Sequence, residues 1–220
     1  MTKNLTELVF ILDCSGSMHE LERDTIGGFN SMIEKQKKVD GNALITTILF
    51  NHKNKVIHDR ADVRNISPMT EKDYVTGGST ALLDTIGHAV CHVTNIHKYS
   101  RKEDLPDHTM FIITTDGVEN SSHKYDYGMI RQLIELQKEK YGWEFMFLGA
   151  NIDAIDVASH IGIDESRAVN FNCDSEGTEL NYEVLSDAIC VLRECSYVSK
   201  DWKNRIDKDY QKRRKSNGKV

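Results

Sequence analysis

Residues 7–17 read ELVFILDCSGS, and the architecture follows from how this stretch is understood. Its first part, residues 7–13, is a short apolar run between polar flanks, the pattern of a strand buried on both faces. Directly after it Asp13, Ser15 and Ser17 alternate with Cys14 and Gly16, so three oxygen-bearing side chains gather where the strand stops. Outward along the chain the same kind of run recurs at residues 43–50 (ALITTILF), 108–115 (HTMFIITT) and 143–150 (WEFMFLGA), with a shorter strand at 168–171. Helical spacing fills the intervals. Ile26, Phe29 and Ile33 mark residues 24–38, where Glu34 and Lys38 form an i,i+4 pair, and Leu82, Ile86, Val90, Val93 and Ile96 mark 82–98. Ile130, Leu133 and Leu136 mark 127–141, a short helix at 155–161 stops at Gly162, and Leu185, Ile189, Leu192 and Cys195 mark 178–197. Residues 55–66 alternate loosely and carry Asp59 and Asp62, which suits an edge strand or hairpin. Strands alternate with helices through short connections, and both prolines, Pro68 and Pro106, fall in connections. The expectation is an α/β fold, a doubly wound, mostly parallel sheet with helices on both faces.

Length and composition narrow the function. At 220 residues the chain fits one domain, placed at residues 1–200. The last twenty residues differ: eight basic side chains against three acidic ones give a charge of +5, so 201–220 reads as a frayed, solvated basic tail. The net charge of −6 leaves −11 on the rest, which argues against a nucleic-acid or anionic-membrane binder, Trp202 and Tyr210 beside the tail notwithstanding. No apolar run reaches the length of a membrane span, and the opening MTKNLTE has no signal core. Five cysteines (Cys14, Cys91, Cys173, Cys190 and Cys195) without paired spacing read as free thiols in a reducing, cytoplasmic compartment.

The chemistry lies in small oxygen-bearing residues at strand ends. Asp13, Ser15 and Ser17 follow the first strand, Thr80 follows Gly77-Gly78-Ser79 and opens a helix, and Asp116-Gly117 ends the strand at 108–115. In a parallel sheet these ends share one rim, so loops distant in sequence converge. Two carboxylates and three hydroxyls are hard oxygen donors, suited to magnesium, or manganese in its place, rather than zinc or copper. Such a set leaves coordination positions open to a partner's carboxylate.

At these residues the chain resembles the von Willebrand factor A domain family. The phrases VFILDCSGSM, GGSTALLDTI and FIITTDGVEN are similar to those around that family's metal ion-dependent adhesion site, and all five motif positions, Asp13, Ser15, Ser17, Thr80 and Asp116, carry the expected types in the expected order. The phrase GANIDAIDVASHIGI is similar to stand-alone bacterial members, and no stalk or partner domain accompanies it as in integrin-type members. The resemblance implies that Ser15, Ser17 and Thr80 ligate the metal directly, with Asp13 and Asp116 direct or through water. It also implies one antiparallel edge strand near residues 55–66. The function implied is a non-enzymatic, metal-dependent protein-interaction module. A partner's Asp or Glu completes the coordination, and loops at 18–22, 118–122 and 151–155 surround it.

Other readings were weighed on the same residues. Asp-x-Ser-x-Ser alone is a common turn and cap pattern, and Asp-Gly alone is a turn. Glu119 and Asn120 rim the site or, more plainly, are solvated loop residues. His88 and His92 are four apart but on the polar side of their helix, without the glutamate of a zinc-binding pair. The alternative function is a magnesium-dependent phosphoester hydrolase using the same metal, which lacks a base or nucleophile motif here. A third is a scaffold binding no metal.

Overall fold

A computed structural model describes residues 5–217, with side chains through Arg214 in the last helix. The chain runs β1 (Leu5–Asp13), α1 (Glu22–Gln36), β2 (Asn42–Phe50), β3 (Asn54–Asp62), α2 (Leu82–Tyr99), β4 (His108–Thr115), α3 (Tyr127–Tyr141), β5 (Glu144–Ala150), α4 (Ala154–His160), β6 (Ala168–Phe171), α5 (Ser175–Cys195) and α6 (Asn204–Asn217). One six-stranded sheet has the order β3-β2-β1-β4-β5-β6. Five strands are parallel and β3 alone is antiparallel, at the edge, as expected.

Period-two alternation in β1 divides the core. Leu8, Phe10 and Leu12 face α1 and α5 with Phe29, Ile33, Leu185 and Ile189, whereas Val9 and Ile11 face α2 and α3 with Ile86, Val90, Ile130 and Ile134. The central strands are apolar on both sides because helices cover both faces. The chain leaves β1 toward β2 and later returns to β4 on the other side of β1. The crevice beyond Asp13 and Thr115 is therefore the sheet's switch point, where ligands of such folds collect.

Three features depart from the sequence reading. Glu7 is fully buried on β1, its Oε2 2.5 Å from His97 Nε2 and its Oε1 2.8 Å from Arg60 Nη1. Arg60 reaches it from an edge strand with an irregular register, in a left-handed conformation at φ 47°. The stretch before α1 is a separate 3-10 turn, Gly16–Leu21, so the helix starts at Glu22.

The segment expected as a frayed tail forms α6 through residue 217, because Ile206 is apolar enough to dock and is 2% exposed. Polar bonds fix it: Trp202 Nε1 donates to Ser166 O at 2.9 Å, Asn172 Nδ2 to Asp209 Oδ2 at 2.8 Å, and Arg213 Nη1 pairs with Asp174 Oδ2 at 2.7 Å. Lys219 lies outside the described residues, as does the side chain of Lys215. Among the described residues no helix is long and apolar enough to cross a membrane, and all five cysteines are unpaired.

Two adjacent glycines in α1 make opposite predictions. A Cβ on Gly28 meets the Tyr182 ring of α5 at 2.3 Å, while one on Gly27 meets nothing within 4 Å. Gly28→Ala should lower stability by about 1–3 kcal/mol through overpacking. Gly27→Ala should raise it by about 0.5–1 kcal/mol through helix propensity. Urea denaturation of the two variants checks both signs.

Candidate metal centre

The five residues singled out in the sequence come from three loops, and the structure brings them together. Asp13 ends β1, Ser15 and Ser17 lie in the turn after it, Thr80 precedes α2, and Asp116 follows β4. The first and second loops are laced by backbone bonds, Gly77 N to Cys14 O at 2.9 Å and Gly16 N to Gly78 O at 3.1 Å. Gly78 adopts φ 78°, and a Cβ there would lie 2.2 Å from His52 Nδ1, so only glycine lets the loop pass. The Tyr74 hydroxyl donates to the carbonyl of Asp13 from beneath.

The third loop is stitched to the second by residues that the sequence reading took for solvated loop. Asn120 Oδ1 accepts from Thr80 N at 2.9 Å, and Asn120 N donates to Thr80 O at 3.1 Å. Glu119 Oε2 accepts from Leu83 N at 2.8 Å and Ser122 Oγ from Asp84 N at 2.9 Å. The first-turn amides of α2, which no intrahelical carbonyl reaches, are thus capped from the loop that carries Asp116. Position +3 or +4 after an Asp-Gly turn carries no marker for this role in the sequence.

Within the centre the carboxylates accept from amide and hydroxyl donors. Asp13 Oδ1 accepts from Ser15 N at 2.7 Å and Oδ2 from Thr115 Oγ1 at 2.6 Å. Ser17 Oγ donates to Asp116 Oδ1 at 2.6 Å and lies 3.2 Å from Ser15 Oγ. Asp13, Ser15, Thr80 and Asp116 are all at most 3% exposed, while Ser17 is open to solvent. Among the described residues the Thr80 hydroxyl has no hydrogen-bond partner, although its backbone is fully engaged.

Burial raises the carboxyls of both Asp13 and Asp116 above their ordinary values, against the pull of the hydroxyl and amide donors. Among the described residues no basic side chain is among the main groups that act on either one. Burial likewise pushes the Cys14 thiol up to about 12, and that side chain packs into the core on the α1 side rather than into the site.

The residues present fit a small divalent cation. A Cβ on Gly117 would sit 3.0 Å from Thr80 Oγ1, 3.8 Å from Ser17 Oγ and 3.9 Å from Asp13 Oδ2. Glycine leaves this hollow open among three oxygens. Neighbouring oxygens around an octahedral magnesium lie about 2.9 Å apart. The Ser15–Ser17 and Ser17–Asp116 separations, 3.2 and 2.6 Å, bracket that spacing. Ser17 gives its proton to Asp116, so its lone pairs face away from that bond. Among the described residues no group of three or more histidine, cysteine and carboxylate side chains could hold a metal, so any such capacity rests on hydroxyl oxygens. His88 and His92 do not pair: His88 Nδ1 lies 3.3 Å from Asn54 Nδ2 and His92 Nε2 3.0 Å from Asp59 Oδ1.

No protein-family profile matches the chain, and no curated protein matches it. Solved structures do. A von Willebrand factor type A protein from Catenulispora acidiphila superposes with a TM-score of 0.55 at 15% identity, over 83% of this chain and 42% of that one. Proximal thread matrix protein 1 from the mussel byssus, in a structure whose adhesion-site motif is occupied by zinc, gives 0.57 at 14% identity, over 84% and 46%. A mutant of the PilB minor pilin from Streptococcus sanguinis gives 0.56 at 14% identity, over 87% and 63%. The fold is thus that of von Willebrand factor A domains, and the chain spans about half the length of the proteins it matches.

The raised carboxyls fix a pH dependence. A carboxyl that holds its proton more tightly when folded contributes stability below its unfolded value, and that contribution is lost as pH rises through the folded one. In chelator, Asp13→Asn should therefore gain stability relative to the unsubstituted chain between about pH 4 and about pH 7, and saturating magnesium should reverse the order. Denaturation midpoints at the two pH values, with and without the metal, check this.

Proposed function

We propose that the chain is a metal-dependent protein-interaction module whose centre is built by Asp13, Ser15, Ser17, Thr80 and Asp116, taking magnesium or manganese and completed by an Asp or Glu of the partner. The observation that carries this reading is the burial of two carboxyls at a hollow bounded by hydroxyl and carboxylate oxygens, with no basic side chain among the described residues acting on either carboxyl. The zinc held by the adhesion-site motif of the mussel protein supports the general reading.

Thr80 and Ser17 offer neutral oxygens at the hollow, with Ser15 Oγ 3.2 Å from Ser17 Oγ, so the two nearby carboxylates supply the balancing charge. Asp13 is oriented at both oxygens, by Ser15 N and by Thr115 Oγ1, and Asp116 is oriented by Ser17. Asn120 and Glu119 hold Thr80 in register with Asp116 through backbone and helix-cap bonds. These residues would hold a divalent cation, which would supply positive charge for a partner's carboxylate. Ser17 marks the solvent side from which a partner's carboxylate approaches. Val118, next to the Asp116-Gly117 turn, and Val75, just ahead of Gly77, are exposed at 62% and 63% and offer apolar contact around that approach.

The test is calorimetric titration of chelator-treated protein with magnesium and then manganese. Selection of displayed peptides on the magnesium-loaded protein, with chelator elution, follows. One-site binding and enrichment of Asp- or Glu-containing peptides are expected. Asp13→Ala should weaken metal binding on the order of 100-fold and lose peptide capture while keeping its circular dichroism. Gly117→Ala, whose methyl crowds Thr80 Oγ1, should weaken metal binding about tenfold. Peptide capture that survives chelation overturns the proposal.

A further inference from the structure

At the end of the sheet opposite the metal centre lies a separate cavity of about 120 Å³. We infer that it is a binding site for a single-ring cyclic amide whose ring N–H groups donate to the protein, the chemistry of a pyrimidine base. The cavity sits among the last turns of α2 and α3, the connection into β4 and the residue before β5, lined by Thr94, His97, Leu105, Pro106, Gln137 and Trp143.

Two polar side chains there lack partners. Gln137 is 2% exposed, and no described residue hydrogen-bonds its Oε1. The Thr94 hydroxyl oxygen, on the facing helix, is buried and unpartnered in the same way. A polar atom left so inside a protein costs its desolvation unless something bonds to it. Nearly all buried polar groups are met, so two unmet ones on one small cavity point to a ligand. His97 adds a third group. Its Nε2 lies 2.5 Å from Oε2 of the fully buried Glu7, whose other oxygen is 2.8 Å from Arg60 Nη1. The Nε2 proton faces that carboxylate, so Nδ1 of the neutral ring is an acceptor, and no described residue donates to it.

The remaining wall is apolar. Trp143 is 4% exposed, stacks on Phe111 with centroids 5.4 Å apart and meets the His97 ring edge-on at 5.2 Å. Leu105 and Pro106 continue that wall. Volume sets the size: a cavity of about 150 Å³ holds benzene, so this one takes a single ring. Lys98 and Asp107, both exposed, line it with opposite charges, so neither sign of ligand charge is selected. The occupant these walls fit is flat, neutral and single-ringed, with N–H donors for Gln137 and His97 and a carbonyl for the Thr94 hydroxyl. A pyrimidine-type cyclic amide presents that edge. Water alone would meet the polar atoms but leave the surfaces of Trp143, Leu105 and Pro106 wet.

The experiment is calorimetric titration of the full chain with uracil, in chelator and again in magnesium, with 1,3-dimethyluracil and toluene as comparators. One-site uracil binding with a Kd of about 1 mM or tighter is expected, a range open to a ligand of about eight heavy atoms. In Trp202→Phe the same titration changes the fluorescence of Trp143. Dimethyluracil, which has no ring N–H, should bind at least about tenfold more weakly, and Gln137→Leu should weaken uracil about tenfold and Thr94→Val about threefold. Neither substitution should lower the melting temperature, since each removes an unmet buried polar atom. Magnesium should leave uracil binding unchanged, which separates this site from the metal centre. Absence of saturable uracil binding, undiminished binding in Gln137→Leu, or toluene binding as tightly as uracil overturns the inference. A melting temperature that falls in Gln137→Leu assigns that side chain to the fold and overturns it as well.

Discussion

Two carboxyl groups buried at the sheet's switch point, with no basic side chain among the described residues acting on either, are the constraint around which the upper half of this molecule is organised. A buried carboxylate is unfavourable unless its lone pairs are met and its charge is balanced. The chain meets the first need with short hydrogen bonds to both carboxyls, and among the described residues it supplies no basic side chain for the second. Thr115, Ser15 and Ser17 give their protons to Asp13 and Asp116. Those bonds tie the ends of β1 and β4 together across the point where the chain reverses direction, and the α2 capping residues extend the tie to a third loop. The arrangement is rigid in hydrogen bonding and deficient in positive charge.

The sequence was most legible where physical periodicity is strongest. The strands at 108–115 and 168–171 and the helix at 127–141 fall where the runs of HTMFIITT, AVNF and Ile130-Leu133 placed them. Asp13, Ser15, Ser17, Thr80 and Asp116 stood out as candidates because they sit at strand and helix ends, where turn chemistry contrasts with apolar runs, and the fold brings them together. What escaped was pairing across the fold. Glu7 looked like the polar flank of a strand, and its burial depends on His97 and Arg60, which are far off in sequence. Asn120 and Glu119 looked like loop residues because a side chain that caps a distant helix has no local signature. The last segment read as solvated because its charge is high, and one isoleucine with a few polar anchors was enough to dock it.

The comparisons show the same division. Structures superpose over more than four fifths of the chain at about one residue in seven identical. Buried runs need only to be apolar and of the right length, so the layered sheet persists while the residues that fill it change. The oxygen hollow is stricter at Gly117, where a Cβ would come within 3.0 Å of Thr80 Oγ1.

The anchoring of α6 to the loop of Cys173 places the two in mechanical series. A load drawn through the last helix reaches Arg213 and Asp209 first, and they hand it to Asp174 and Asn172 on either side of the thiol. Tension at that end is therefore delivered first to the loop between β6 and α5, at the edge of the sheet, while β1 and β4 are paired in its middle.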